Sequence, residues 1–199
     1  MKIIIAGAYA IGTHLAKLLS RNDQDIVLID EDEERLNNIS NDYDLMTIHS
    51  SPSSIQTLKN AGVQHANLFI GVTPDENMNM NSCILAKALG AKRTVAKVNN
   101  YEFIDEKLKE FFNNLGIDSL IYPENLAARD ITNGLKMSWV RQRWDVHNGA
   151  LIMLGIKLRE TCEILNEPLK DLCKPESPYH IVAIKRGEDT IIPRGDDEL

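Results

Sequence analysis

Two glycines near the start of the chain have the spacing of a phosphate-binding turn. An apolar run, "KIIIA", leads into them and a helical pattern follows. In the pattern G-x-G-x-x-G the first glycine permits a tight turn and the last lets the helix pack on the strand, while amides at the helix N-terminus bind phosphate. The turn predicted here comprises Gly7, Ala8, Tyr9, Ala10, Ile11 and Gly12.

Tyr9 occupies the middle position of this pattern, where glycine normally lets the backbone approach a pyrophosphate. A tyrosine fits only if its ring points away from the ligand. The ring could then cover the phosphates, stack on another group, or favour a mononucleotide over a dinucleotide. The sequence leaves these three interpretations open.

Asp30 ends the next strand-like run, "DIVLID", near the distance of about 20 residues at which such folds place a ribose-binding acid. A carboxylate there accepts hydrogen bonds from the ribose hydroxyls, which favours NAD or adenosine over NADP. The alternative is a solvated strand-end charge in a fold that has lost its ligand. The ordered set of strand, turn, helix, strand and Asp30 predicts adenine-nucleotide binding.

Strand and helix patterns alternate over the first 125 residues, which predicts an α/β fold with a doubly wound, parallel, Rossmann-like sheet of six strands. Ligands of such sheets bind beyond the carboxyl ends of the strands, between strands 1 and 4. The expected strands are Lys2–Ala6, Asp25–Asp30, Leu45–Ile48, Leu68–Val72, Thr94–Val98 and Ser119–Tyr122. The expected helices are Gly12–Ser20, Glu33–Ile39, Ser53–Ala61, Asn77–Leu89, Phe103–Leu115 and Asn125–Met137.

Polar residues follow three of the later strands. Thr73, Asp75 and Asn79 follow strand 4, where Asp75 is a candidate N-cap and the group is a candidate wall of the nucleotide site. Lys97 lies in the apolar strand "TVAKV", where its amine either extends to solvent from the sheet end or meets a ribose or phosphate. Glu124 either caps the next helix or binds an ion.

Composition excludes several functions. The 199 residues carry a net charge of −7, which argues against a nucleic-acid binder. No apolar run reaches the roughly 20 residues needed to span a bilayer, so direct membrane insertion is not expected. Three cysteines without C-x-x-C spacing indicate reduced thiols, and Cys83 is expected in the core. No nucleophile, Tyr-x-x-x-Lys or P-loop motif indicates an enzyme.

The chain changes character near Ser138. "WVRQRWDVHNGALIMLGIKL" suggests a connector and then a strand, "NEPLKDL" a short helix, and the last segment two strands around a glycine turn. This tail predicts the start of a small α+β domain. The preceding helix has apolar residues that need a cover, which is either a second copy of the chain or the sheet itself.

The ordered motifs resemble the RCK (or KTN) domain of TrkA-like regulators of Trk-type potassium uptake. The resemblance rests on "MKIIIAGAYAIGTHLAKLL", "DIVLIDEDEERL", "LKNAGVQHANLFIGVTPDENMNMNSCILAKALGA", "AKVNNYEF", "LGIDSLIYPE", "NEPLKDL" and "IIPRGDDEL". It implies a nucleotide-binding N-terminal domain over residues 1–124, a crossover dimerisation helix and linker over 125–140, and a partial RCK C-terminal domain over 141–199.

The resemblance also implies a ligand and partners. NAD(H) or another adenine nucleotide (ATP, ADP or AMP) would bind with phosphates at Gly7–Gly12, and Glu124 is a candidate ligand of a divalent or potassium ion. The partners would be a membrane potassium transporter of the Trk or Ktr type and further copies in a homodimer or ring, peripheral to the cytoplasmic face of the membrane. Ribose would lie at Asp30, adenine near Ser51 and Pro52, and further contacts at Glu31, Arg35, Thr73, Asp75, Asn79 and Lys97.

The chain departs from this family pattern at Tyr9 and at Ser51, where an acid is common. Two other functions therefore stay open from the sequence. One is a small NAD-dependent oxidoreductase or redox sensor, supported only by the short tail after residue 138. The other is a scaffold that binds no nucleotide.

Overall fold

A six-stranded parallel sheet forms the first part of the protein. The computed structural model describes residues 1–21, 24–41, 43–136, 139–147, 149–174 and 176–199. The strands are ordered β3-β2-β1-β4-β5-β6, so the order reverses between β1 and β4 and the predicted fold class is confirmed. The strands are β1 (Lys2–Ala6), β2 (Asp25–Asp30), β3 (Met46–His49), β4 (Leu68–Gly71), β5 (Thr94–Lys97) and β6 (Ser119–Ile121).

Apolar side chains cover both faces of this sheet, as expected where helices pack on either side. Ile4, Val27 and Phe69 belong to one buried cluster, and Ile5 and Leu28 belong to the other. The central strands are therefore packed on both faces.

Cys83 lies in the first of these clusters, as predicted, and is fully buried. Desolvation raises the pKa of its thiol to about 12, so the thiol stays protonated near neutral pH.

The helices that accompany the sheet differ from the predicted ones mainly at one place. The segment predicted as one helix over Phe103–Leu115 begins with two short 3₁₀ turns. Asn100 and Asp105 accept hydrogen bonds from the amides of Glu102 and Lys107, and such side-chain bonds compete with a continuous helix. The helices are α1 (Ala10–Ser20), α2 (Glu33–Ser40), α3 (Ile55–Asn60), α4 (Glu76–Ala88), α5 (Lys109–Asn114) and α6 (Pro123–Lys136).

Asp118 joins α4 to the edge of the sheet. Its carboxylate accepts two hydrogen bonds from Lys87 Nζ, at 2.8 and 2.9 Å, and one from the amide of Thr94 at 2.8 Å. Partial desolvation alone would raise the pKa of Asp118, but these bonds and the Lys87 charge outweigh it and lower the pKa. The carboxylate is therefore stabilised in its charged form.

The remaining residues form a second compact unit, Thr132–Leu199, after the first unit, Met1–Ile131. The prediction of a connector after residue 138 is wrong. The segment forms β7, which pairs antiparallel with β8. Its side chains include exposed aromatic and charged residues, so its sequence lacks the apolar alternation typical of a strand. The predicted short helix and terminal strand pair are present. The predicted helix end at Met137 and the change at Ser138 lie outside the described residues. The elements are β7 (Val140–Val146), β8 (Leu151–Ile156), α7 (Leu169–Leu172), β9 (Ile184–Arg186) and β10 (Asp189–Ile191).

Among the described residues, no helix combines the length and the apolar character that crossing a bilayer requires.

Candidate nucleotide site

The turn between β1 and α1 needs both of its glycines for packing. Gly7 has φ +110°, and a Cβ there would lie 2.8 Å from the amide nitrogen of Thr73. A Cβ on Gly12 would lie 1.8 Å from the carbonyl oxygen of Gly7. Gly7 thus brings the turn against the loop after β4, and Gly12 lets α1 begin directly on the turn. Both contacts lie at the reversal of the strand order.

Asp30 fixes this turn from the end of β2. Its Oδ2 accepts a hydrogen bond from the amide of Ala8 at 2.6 Å, and its Oδ1 accepts one from the amide of Asp32 at 2.9 Å. Only 4% of the Asp30 side chain is exposed. The predicted ribose-binding acid therefore lies against the predicted phosphate-binding turn, as the sequence pattern requires.

Arg35, in α2, holds the same carboxylate. Its NH2 and Nε donate to Asp30 Oδ1 at 3.0 and 3.3 Å, and its NH1 lies 3.3 Å from Asp32 Oδ2. Partial desolvation would lower the pKa of the guanidinium, but the hydrogen bond to Asp30 and the surrounding charges outweigh it and raise the pKa. The guanidinium therefore stays charged, as an arginine in a protein does.

The Tyr9 ring stacks on this guanidinium. Arg35 Cζ lies 4.0 Å from the ring centroid, within the range of a cation–π contact. Tyr9 is also the N-cap of α1, but its side chain makes no capping hydrogen bond. Of the three sequence interpretations, the structure shows the ring stacked on another group.

The segment after β3 lies beside Asp30. The amide of Ser50 donates to the Asp30 carbonyl at 2.9 Å, and the hydroxyls of Ser51 and Ser53 lie 3.1 Å apart. Pro52 is buried. Glu31, the neighbour of Asp30, has an exposed side chain. This places the residues predicted to contact adenine next to the predicted ribose acid.

Asn79 organises the loop after β4. Its Oδ1 accepts hydrogen bonds from the amide and the hydroxyl of Thr73, both at 2.8 Å. Its Nδ2 donates to the carbonyls of Thr73 and Lys97, both at 2.9 Å. Because Asn79 is fully buried and makes four hydrogen bonds within the protein, its amide positions Thr73 and the end of β5.

Lys97 is half-buried at the end of β5, and its Nζ donates to Asn99 Oδ1 at 2.7 Å. Glu76 Oε2 accepts the amides of Asn99 and Asn100 at 2.7 and 2.9 Å. Lys97 was predicted from the sequence, but Glu76, Asn99 and Asn100 were not, although Asn99 and Asn100 directly follow the last apolar residue of the strand pattern. They join the loops after β4 and β5.

Two predicted residues have local roles in the structure. Asp75 is the N-cap of α4 and accepts a hydrogen bond from the amide of Asn77 at 2.8 Å, which confirms its prediction as an N-cap. Glu124 is exposed in the first turn of α6. Within the described part of the chain, no three side chains of His, Cys, Asp or Glu group as metal ligands would.

A family model, the TrkA-N domain, matches residues 3–123, which include β1 from its second residue, β2 to β6 and every candidate site residue except Glu124. The chain belongs to the TrkA-N domain family. Relatives that match nearly the whole chain are named TrkA or TrkA homolog. The chain is 41% identical over 199 residues to the Trk system potassium uptake protein TrkA of Haemophilus influenzae, covering 98% of this chain and 43% of that protein.

Two further TrkA-N relatives differ in length. The chain is 31% identical over 200 residues to a TrkA homolog of Archaeoglobus fulgidus, covering 100% of this chain and 45% of that protein. It is 30% identical to a homolog of Pyrococcus abyssi, covering 98% of this chain and 86% of that protein. The chain thus spans less than half the length of the first two relatives.

Solved structures share the TrkA-N fold. The TrkA-N domain of the inner membrane protein ybaL from Escherichia coli matches 67% of this chain and 96% of its own with a TM-score of 0.59 at 15% identity. The GsuK RCK domain matches 100% of this chain and 41% of its own, with a TM-score of 0.55 at 21% identity. At these identities the likeness shows the fold alone.

Proposed function

We propose that this chain is a nucleotide-binding regulatory subunit of a membrane potassium uptake system. The observation that carries the proposal is Asp30, which lies at the end of β2 and accepts the amide of Ala8 in the Gly7–Gly12 turn. This is the arrangement that presents a ribose acceptor and a phosphate-binding helix end to one ligand. The relatives named Trk system potassium uptake protein support the choice of transport system.

The ligand we propose is NAD(H) or another adenine nucleotide. A TrkA-N neighbour of known structure is the GsuK channel bound to NAD, and another is the Shewanella denitrificans Kef CTD in an AMP-bound form, with TM-scores of 0.50 and 0.52. Phosphates would meet the first-turn amides of α1, which have no partner within the helix. The ribose would meet Asp30, and the adenine would lie near Ser51 and Pro52. Thr73 and Lys97 would form the opposite wall.

The partners we propose are a Trk- or Ktr-type transporter and further copies of this chain, at the cytoplasmic face of the membrane. Helix α6 supports an assembly, because Leu126, Ile131 and Leu135 on it are 51%, 65% and 78% exposed. A homodimer or larger ring would bury them. Glu124, at the start of α6, is the proposed contact for a divalent or potassium ion.

Regulation would operate by a shift between conformations of the assembly. A ligand changes such an equilibrium only through different affinities for the two states, typically by about 1–3 kcal/mol. We propose Pro123–Asn125, where α6 leaves the sheet, as the hinge. No catalytic step is part of this proposal.

Calorimetric titration of the full chain with NADH, ADP and ATP tests the ligand. The site-directed variant is Ala10→Asp, which places a carboxylate in the exposed first turn of α1. An acidic residue there suits the helix dipole but repels a phosphate. We expect binding to weaken by at least about tenfold, which corresponds to about 1.4 kcal/mol.

The matched control is Gln56→Asp, which adds the same charge in the exposed first turn of α3. It should leave the affinity within about twofold. Failure of all three nucleotides to bind the unmodified chain would overturn the proposed function. Equal weakening by both variants would show that the phosphates bind elsewhere.

A further inference from the structure

We propose that Arg35 and Tyr9 together cover Asp30, and that a nucleotide must displace Arg35 before its ribose can bind. We call this pair the Tyr9–Arg35 cover. The inference rests on the proposed nucleotide site and adds to it an internal competitor for the ribose acceptor. It assigns to Arg35 and Tyr9 the control of which nucleotide binds and how tightly.

The competition follows from the hydrogen bonds of Asp30. Its Oδ1 already accepts three donors, the amide of Asp32 and the NH2 and Nε groups of Arg35. Its Oδ2 accepts the amide of Ala8. A carboxylate offers about two acceptor positions on each oxygen, so Oδ1 is fully used by these donors while Oδ2 keeps one position. Only 4% of the Asp30 side chain is exposed, so a ribose hydroxyl that binds Oδ1 must take the position that the guanidinium now occupies.

Tyr9 adds to the stability of the covered state. Its ring lies over the guanidinium, with the centroid 4.0 Å from Cζ, and the side chain of Arg35 is one-third exposed. A glycine at this position, as in the usual turn, has no side chain that could lie on the guanidinium. Tyr9 thus affects ribose binding through Arg35, although its backbone lies in the phosphate turn.

The acidic residues around Arg35 make the direction of the change in nucleotide affinity a strict test. The acidic run of Asp30, Glu31, Asp32, Glu33 and Glu34 directly precedes Arg35 in sequence. Removing the arginine makes this segment more negative, which by itself disfavours an anionic nucleotide. Tighter binding after its removal can therefore come only from freeing the acceptor. If Arg35 instead contacted phosphate, its removal would weaken binding.

The experiment is calorimetric titration of the full chain with ADP and with 2′-deoxy-ADP. For Arg35→Gln we expect about tenfold tighter ADP binding, as for a site whose open state is populated to about one-tenth. The gain should be smaller for 2′-deoxy-ADP, which lacks one hydroxyl for Asp30. Arg93→Gln removes an exposed arginine at another position and should change neither affinity.

Variants of Tyr9 form the second part of the experiment. They retain both Arg35 and Asp30, so the ion pair between these residues can still form. Tyr9→Leu removes the aromatic face and should tighten ADP binding by a few-fold, whereas Tyr9→Phe should not. In the free protein, the NMR signal of Arg35 Nε–H should show the ring-current shift of Tyr9. That shift should disappear in Tyr9→Leu and on addition of ADP.

The failures of the two proposals differ. If the unmodified chain and Arg35→Gln bind ADP with equal affinity, or the variant binds more weakly, the cover is wrong and the nucleotide site stands. If neither binds ADP, NADH or ATP, the proposed function is wrong, and the cover, which requires a competing ribose, is wrong with it.

Discussion

Replacing Asn79 by alanine should strongly destabilise the protein, because this side chain connects the loop after β4 to the end of β5. Asn79 is fully buried and makes four hydrogen bonds, two to Thr73 as acceptor and two to backbone carbonyls as donor. The change would leave the amide of Thr73 and the carbonyls of Thr73 and Lys97 without these partners. Gly71 also packs on the Asn79 backbone, where a Cβ would lie 3.0 Å away, so the helix has little room to adjust.

The expected loss is about 4 kcal/mol, at about 1 kcal/mol for each of the four hydrogen bonds. That is a large fraction of the 5–15 kcal/mol typical of a native protein. For a chain of this size it corresponds to a fall in the melting temperature of roughly 8–16 °C. Water that enters the space left by the side chain would replace some of these hydrogen bonds, and the loss of stability would then be smaller.

Urea unfolding followed by circular dichroism at 222 nm measures this loss. Tryptophan fluorescence is unsuitable, because Trp139 and Trp144 both belong to the second unit. Asn77→Ala is the matched control, since Asn77 is exposed in the same helix. A loss below about 1 kcal/mol for Asn79→Ala, or one equal to that of the control, would refute the idea that Asn79 holds the loop after β4 against the end of β5.

Three further substitutions test the packing of the first unit and the helix that leaves it. Asp118→Asn should lower the free energy of unfolding at pH 7. Because the folded-state pKa of Asp118 is lowered, its stabilisation is present above the unfolded pKa of about 4 and is lost as the pH falls through the folded value. The difference between the urea midpoints of the variant and the unmodified chain should therefore shrink as the pH falls below about 4, and a constant difference would contradict the role of the Lys87 pair. Gly12→Ala should destabilise by about 3 kcal/mol or more in thermal unfolding, because its Cβ would overlap the carbonyl of Gly7. Gly134→Ala, in α6 with open space around it, should instead stabilise by about 0.5–1 kcal/mol, and equal effects of the two would show that the overlap is relieved without cost.

The strands of the parallel sheet were predictable because each central strand is a short apolar run buried on both faces. The bounds of β1 and β2 match the predictions, and β3 is shifted by one residue. The segment over Phe103–Leu115 was predicted less well, since the capping bonds of Asn100 and Asp105 override its apolar pattern. The strand β7 was missed because a two-stranded pair with exposed aromatic and charged side chains lacks the alternation of a half-buried sheet.

The sequence by itself determined the positions of Gly7, Gly12 and Asp30, because a tight turn, a close helix and a strand-end acid each require a particular residue type at a particular distance. Only the tertiary structure decided what Tyr9 does. Its partner Arg35 comes from another helix, and no spacing along the chain reveals a stacking contact between side chains that the fold brings together. The same holds for Asn79, whose four hydrogen bonds go to Thr73 and Lys97, which lie close together only because β4 and β5 are neighbours in the sheet.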